Sequence, residues 1–589
     1  MGKRARRAKE NDRPAVLFAI LAALLGIVTL RLLYIQVVAA PAYADKATAQ
    51  RMRDMELTPR RGTIYDREGE PLAVSVASKT VYAAPNQISD KPAVAAALAS
   101  ALGGVPEDYL AKLSKPGGFV YIERKVDLER AKQLEALKLE GVGMIDDSRR
   151  LYPSGELACQ VLGFVGVDDN GLAGIERQYD DILGGKPGVL LGERDPQGRP
   201  IPGGIQKQID PVDGHDVVLT IDKDIQYHAQ VELAAAVDKW GAKGGSIVVI
   251  NPRNGEIYAM ASMPSFNPNE YGKAKPEAWR NKPLSDAYEP GSTLKCLTAS
   301  AVVEKGLYTP KSMFDLPPTI KVGGRVIHES HGRGAVRWSL TDIVTNSSNV
   351  GTVKLGLKLG EKGLYDSFAA FGLTEKTGVD FPGEAKGWLP PTDQWSESSI
   401  GNIPFGQGVS VTPLQLARSI GAIANDGELT TPHFLLDVPQ SSGAKLTWPK
   451  RRALTPKTAE TVSGMLQAVV TEGTGKAASV AGYTVAGKTG TAQKALSGGR
   501  GYAGGKYVGS FIGYLPAEDP QVLVCVTIDE PSNAIYGGTV AAPAFSAVGG
   551  FAVSHLKVPP SSALKKPKGA VPASTTAGVG PVSDDGAKD

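Results

Sequence analysis

The sequence predicts an α+β protein in three parts: a single N-terminal transmembrane helix, a mixed region of strands and helices, and a larger domain built on one sheet. Three observations predict this. An uncharged apolar run follows a basic head. Strand-like and helix-like segments then alternate to about residue 213. Beyond that point, β-hairpins open and nearly close the chain with helical runs between them, as one sheet closed from both termini would require. At 589 residues the chain is also too long for one ordinary core.

The cytoplasmic basic tail, residues 1–14, carries Lys3, Arg4, Arg6, Arg7, Lys9 and Arg13. Residues 15–30 hold no charge, and apolar character resumes after Arg31. A helix over 15–38 is long enough to span a bilayer, and the basic head keeps its N-terminus inside. Ala42-Tyr43-Ala44 resembles a signal-peptide cleavage site. The apolar stretch is long, however, and Arg31 and Gln36 stand between it and that tripeptide, so the anchor is read as retained. Arg31 can snorkel at the outer end or meet a membrane partner.

Residues 44–213 read as a pedestal. They contain Arg61-Gly62-Thr63-Ile64-Tyr65-Asp66-Arg67-Glu68-Gly69, Arg150-Leu151-Tyr152-Pro153 and Gly174-Ile175-Glu176, and no nucleophile with a base beside it. The larger domain covers 216–556, with a strand at 216–221, a helix at 225–240 and hairpins at 246–262 and 507–528. Residues 558–589 are Pro, Ala, Ser, Lys and Gly without apolar period, a tail expected to be disordered.

Composition excludes several functions. Hydrophobic residues make up 42% and charged residues 21%, as in a globular protein. A net charge of +4, from 65 basic and 61 acidic residues, gives no support for nucleic-acid binding. Cys159, Cys296 and Cys525 form neither a disulfide framework nor a metal-ligand spacing, and read as core residues. His328, Glu329 and His331 lack the helical His-Glu-x-x-His spacing and sit among glycines, so no metal site is expected there.

The chemistry concentrates in three motifs. A serine hydroxyl becomes a nucleophile when a neighbouring base takes its proton. A lysine one helical turn later, kept neutral by burial, can do so. Ser-x-x-Lys occurs at Ser292, Ser442, Ser554 and Ser562, against roughly two expected by chance. Only Ser292-Thr293-Leu294-Lys295 follows a Pro-Gly helix start and opens an apolar helix, where free N–H groups favour an oxyanion. Ser347-Ser348-Asn349 interrupts two helical runs and can present a hydroxyl and an amide to a cleft, or can simply cap the following helix. Lys488-Thr489-Gly490-Thr491 lies on a strand whose glycines suit the approach of another backbone, such as a substrate peptide added to an edge. The second Lys-Thr-Gly, at Lys376, reads as a loop. Ser265-Phe266-Asn267 sits in a Pro-rich loop before the nucleophile.

In this order the motifs form the active-serine set of penicillin-binding proteins and class A β-lactamases, with Ser348 where that set has Asp. The chain resembles the class B penicillin-binding proteins. The resemblance extends to the pedestal motifs above, to Gly406-Gln407-Gly408-Val409-Ser410-Val411-Thr412-Pro413-Leu414-Gln415-Leu416-Ala417, and to Ile423-Ala424-Asn425-Asp426-Gly427. It implies a pedestal of the penicillin-binding protein dimerisation type and a transpeptidase domain with a five-stranded antiparallel sheet flanked by helices. The Asn346–Gly351 context and the compact pedestal look most like the division-specific, septal member.

The resemblance also implies roles. Ser292 attacks the D-Ala-D-Ala carbonyl of a peptidoglycan stem peptide, Lys295 takes its proton, and Ser347 relays it to the leaving amine. Asn349 holds the substrate, and Lys488 supports Ser347. Thr489 and Thr491, around Gly490, engage the substrate carboxylate, and the N–H groups of Ser292 and Thr491 form the oxyanion hole. An acceptor amine completes the cross-link, β-lactams inhibit, and no cofactor is required. The implied partners are a membrane glycan polymerase and other division proteins. The rivals are an elongation-specific transpeptidase, a D,D-carboxypeptidase, a β-lactamase, and a non-catalytic scaffold that recruits the polymerase.

Overall fold

In the computed structural model, which describes residues 4–193, 206–440, 446–495 and 501–564, the N-terminal helix runs Arg4–Leu33 and continues as a π-helical turn, Tyr34–Val38. The stretch Arg13–Val38 is long and apolar enough to cross a membrane, and none of it packs inside the protein. The Arg31 guanidinium lies 5.4 Å from the centroid of the Tyr34 ring, one turn further along the helix.

The pedestal motifs converge on one buried ion cluster. Arg61 donates to the Glu176 carboxylate (2.7 Å), the Asp180 carboxylate (2.6 Å) and the backbone carbonyl of Asp169 (2.8 Å). Arg150 donates to the other oxygen of Glu176 (2.6 Å) and to the Gly62 carbonyl (2.7 Å). Glu176 is fully buried, a position a carboxylate holds only with such partners. The glycines beside the charges permit close backbone approach. A Cβ on Gly62 would lie 2.0 Å from the His215 carbonyl oxygen, and one on Gly174 would lie 2.5 Å from that of Val161. The long strand Pro71–Ala83 pairs antiparallel with Val120–Asp127 and Val142–Leu151. Helices Lys91–Leu102, Pro106–Leu113 and Leu128–Ala136 contribute apolar side chains to the same core.

The larger domain holds a five-stranded antiparallel sheet in the order Ile257–Met263, Gly244–Ile250, Val522–Asp529, Tyr502–Leu515, Ala486–Ala495. Both hairpins read from the sequence are present, and the sheet closes from both ends of the domain. Alternation decides which side chain faces which layer. Ile247 and Val249 pack with Phe545 and Val548 of helix Ala542–His555, whereas Val248 and Ile250 join the core containing Leu297 and Leu466. With both faces covered, strands Gly244–Ile250 and Val522–Asp529 are buried along their length except at Asp529. The three cysteines are free and buried.

Two boundaries differ from the sequence reading. The strand expected at 216–221 forms at Val217–Leu219, but it joins a different sheet. It pairs parallel with Ile64–Tyr65 of the pedestal and antiparallel with Leu435–Asp437. One sheet therefore spans the junction at 213–216. Asp380 adds to that junction, accepting from the amides of Phe434 (2.7 Å) and Leu435 (2.8 Å) and from the Tyr179 hydroxyl. The disordered tail expected from 558 starts too early. The Tyr483 hydroxyl donates to the Val558 carbonyl (2.7 Å), the Ser561 amide donates to the Gly482 carbonyl (3.0 Å), and Ser561–Leu564 is helical, with Ser562 on it. The remaining tail, 565–589, lies outside the described residues, as does Ser442.

Candidate active site

The Ser292 turn is shaped by two glycines distant in sequence. Tyr288 pairs with Val411 (N to O, 3.0 Å), and Gly291 then turns the chain with φ 55°, a region that favours glycine. Its amide donates to the Gly406 carbonyl (3.0 Å), and a Cβ on Gly406 would lie 2.1 Å from the Gly291 oxygen. Helix formation was expected from Ser292 itself. Instead Gly291–Leu294 is a 3₁₀ turn and the α-helix runs Lys295–Glu304. The Thr293 hydroxyl, donating back to the Pro290 carbonyl (2.8 Å), tightens that turn. Ser292 is half-buried and faces a cleft, while Thr293 to Val302 are buried.

Lys295, Ser347, Asn349 and Lys488 meet, although they come from three separate elements. Lys295 Nζ donates to Ser347 O (2.5 Å), Ser347 Oγ (3.2 Å) and Asn349 Oδ1 (2.7 Å). Lys488 Nζ reaches the same Ser347 hydroxyl at 3.0 Å. Both lysines are almost wholly buried. Burial pulls the Lys488 ammonium down to about 8. Lys295 is held well below the ordinary lysine range, first by burial and then by the nearby charge of Lys488. A neutral lysine can accept a proton from a hydroxyl, the chemistry the first motif requires; the hydroxyl within 3.2 Å of Lys295 is that of Ser347.

The two readings of Ser347-Ser348-Asn349 apply to different residues. Ser348 caps helix Asn349–Ala370, its Oγ accepting from the Gly351 amide (2.9 Å). Ser347, in left-handed backbone (φ 56°), turns its hydroxyl toward the lysines.

Strand Ala486–Ala495 forms the margin of the sheet. From it Thr489 and Thr491 line the cleft. Thr489 Oγ1 lies 2.8 Å from Thr474 Oγ1, and Thr491 Oγ1 accepts from the Gly537 amide (3.1 Å). Gly490 has a different surrounding from the one expected. A Cβ there would lie 2.3 Å from Ser510 Oγ, 2.9 Å from the Thr293 methyl and 3.0 Å from the Pro290 oxygen, so its bareness admits the Ser292 turn. Gly487 likewise makes room for the Phe511 ring, 2.6 Å from its would-be Cβ. Lys376 is exposed in a loop whose Thr377 is tied to Glu384 (2.6 Å), away from the cleft lining. Ser265 pairs with Glu156, and Asn267 caps the next turn.

The cleft encloses about 660 Å³, the size of a small-molecule or short-peptide site. Sequence reasoning missed part of its wall: Ser330 and His331, Thr474 and Lys476, and the segment around Tyr536. His331 and Tyr536 face each other with ring centroids 5.0 Å apart. The only sequence signal was the His-Glu-x-His cluster. Among the described residues no group of potential ligands could hold a metal ion.

Comparison with known proteins agrees with this geometry. A family model described as the penicillin binding protein transpeptidase domain matches residues 245–549, and one described as the penicillin-binding protein dimerisation domain matches residues 56–219. The probable peptidoglycan D,D-transpeptidase PbpC of Pseudomonas aeruginosa is 36% identical, covering 91% of this chain and 94% of its own. The peptidoglycan D,D-transpeptidase FtsI of Escherichia coli is 34% identical over 92% of this chain and 91% of its own. Stage V sporulation protein D of Bacillus subtilis is 36% identical over 88% and 81%. Among solved structures, penicillin binding protein 3 of Mycobacterium tuberculosis complexed with aztreonam has a TM-score of 0.68 at 31% identity, over 86% of this chain and 98% of its own. With both family domains in place, and the hydroxyls of the three motifs lining one cleft while Lys295 and Lys488 lie buried against Ser347, this chain belongs to the class B penicillin-binding proteins, as an FtsI-like member carrying their serine-type transpeptidase domain.

Proposed function

We propose that the protein is a septal peptidoglycan D,D-transpeptidase that works through an acyl-enzyme on Ser292. The observation that carries this reading is the meeting of Lys295 and Lys488 on the Ser347 hydroxyl, in the cleft that Ser292 faces. Ser292 Oγ attacks the carbonyl between the two terminal D-Ala residues as Lys295 accepts its proton. The N–H groups of Ser292 and Thr491 receive the developing oxyanion. The C–N bond then breaks, and the leaving D-Ala amine takes a proton relayed through Ser347. An acceptor amine attacks the resulting ester, giving a new amide and restoring the Ser292 hydroxyl. Thr489 and Thr491 hold the donor carboxylate, and the Asn349 amide contacts the donor backbone. β-Lactams acylate the same hydroxyl.

The septal role is supported by the compact pedestal, by the Asn346–Gly351 context and by FtsI among the relatives. On this reading residues 15–38 anchor the protein in the inner membrane, with the N-terminus cytoplasmic and the catalytic domain outside. A membrane glycan polymerase and other division proteins are its partners. Incubating the full chain with a pentapeptide donor, with and without an amine acceptor, tests the reaction. Cross-linked product is expected, and free tetrapeptide alone would mean a carboxypeptidase. A fluorescent fusion is expected at midcell, whereas a sidewall pattern would mean elongation.

A further inference from the structure

In the segment His328-Glu329-x-His331 the carboxylate of Glu329 is almost fully covered. A covered carboxylate must be held by donors. Glu329 Oε1 accepts from the Ser348 hydroxyl (2.6 Å) and from Arg333, and Oε2 accepts from the Asn349 amide (2.6 Å). Next to it, the His328 carbonyl accepts from Asn349 Nδ2 (2.9 Å). The segment after strand Arg325–His328 therefore grips the Ser347–Asn349 loop through backbone, hydroxyl and amide.

Those contacts bear on the geometry of the loop. Ser347 has left-handed backbone, which a residue other than glycine keeps only when its surroundings over-determine it. On the preceding side, the Ser347 amide bonds the Val344 carbonyl (3.2 Å) and the Ser348 amide bonds the Ile343 carbonyl (2.9 Å). On the following side, the fixing contact is Glu329, an anion on the first amide of helix Asn349–Ala370. The orientation of the Asn349 side chain follows as well. With Nδ2 committed to the His328 carbonyl, Oδ1 is the atom that faces Lys295, at 2.7 Å. Arg333, packed 4.8 Å from the centroid of the Trp338 ring, holds the carboxylate from behind. Ser330 and His331 line the cleft, while Glu329 lies behind the lining and acts through its neighbours.

We propose that Glu329 is a positioning residue for acylation: it fixes Ser347 and Asn349 against Lys295 and Lys488. The inference rests on the acyl-enzyme reading of Ser292. A merely structural cap would lower the number of folded molecules and leave each of them fully reactive. A positioning residue leaves the sites present and slows each one, because small misplacements of reacting groups cost large factors in rate.

The test uses the full-length protein in detergent and a fluorescent penicillin, measuring titratable sites per molecule and the acylation rate per titrated site. Glu329→Ala is expected to keep most of its sites and to acylate each at least about tenfold more slowly at saturating penicillin. Glu329→Gln keeps the shape and one acceptor oxygen but not the charge, so it should fold like wild type and fall between the two. Wild-type rate per site in either variant, whatever the loss of sites or of Tm, would overturn the proposal. Failure of wild-type protein to label at Ser292 would instead overturn the acyl-enzyme reading.

Discussion

Two buried lysine side chains meet at one hydroxyl, that of Ser347, and their titration is the most direct handle on single residues. In the proposed mechanism Lys295 must be neutral to accept a proton. Its affinity for the proton is depressed by burial and further by the charge of Lys488. The acid limb of the acylation–pH profile should therefore lie well below the ordinary lysine value of 10.5. Lys488→Met removes the neighbouring charge, so the Lys295 proton is held more tightly and that limb should move to higher pH. Second-order acylation rates across pH check both statements. The linkage sign for Lys488 is also fixed. Its folded value, about 8, lies below the unfolded 10.5, so its contribution to stability rises with pH between those values. Of the two Lys-Thr-Gly copies, Lys488→Ala should slow acylation by about a hundredfold or more, the range for one electrostatic group in a site. Lys376→Ala, exposed in its loop, should leave acylation near wild type.

At the scale of elements, the contact between the Ser292 turn and the edge strand decides the site. Gly490→Ala would place a methyl group against Ser510, Thr293 and Pro290, forcing the turn off the strand. The expected result is a loss of about tenfold or more in acylation per folded molecule, from displaced reacting groups. Much of this level was legible in the sequence. Alternation gave both hairpins, and apolar character around the Lys295 helix gave its burial, because these signals repeat within a short window. The strand context of Lys488 separated it from Lys376 for the same reason. What was not legible depended on residues far apart in the chain. Nothing near Gly291 announces that Gly406 must lie against it, or that the strand glycines serve the Thr293 turn and the Phe511 ring. Glu329 was weighed in the sequence only as a metal ligand and set aside, since its partners Ser348 and Asn349 come together with it only in the fold.

For the whole molecule, pedestal and catalytic domain are joined by shared strands, while the buried ion cluster lies within the pedestal, so the two should fail separately. Glu176→Leu removes the carboxylate that Arg150 and Arg61 share, leaving Arg61 with the Asp180 carboxylate alone. Breaking such a buried group costs about 3–5 kcal/mol, which should appear as a lowered thermal transition, while penicillin acylation per remaining titratable site stays unchanged. The junction was poorly legible because the strand Val217–Leu219, read as the start of the second domain, completes a sheet with Ile64–Tyr65 more than 150 residues earlier. The anchor gives another whole-molecule expectation. Replacing residues 15–38 with an unrelated membrane helix should preserve β-lactam binding and impair division, and full complementation would reduce the segment to a tether. The central claim, covalent catalysis at Ser292, is tested most directly by intact-mass analysis after exposure to penicillin, followed by peptide mapping. A single adduct on the Ser292 peptide, absent in Ser292→Ala, is the predicted result; an adduct that persists in Ser292→Ala would contradict it.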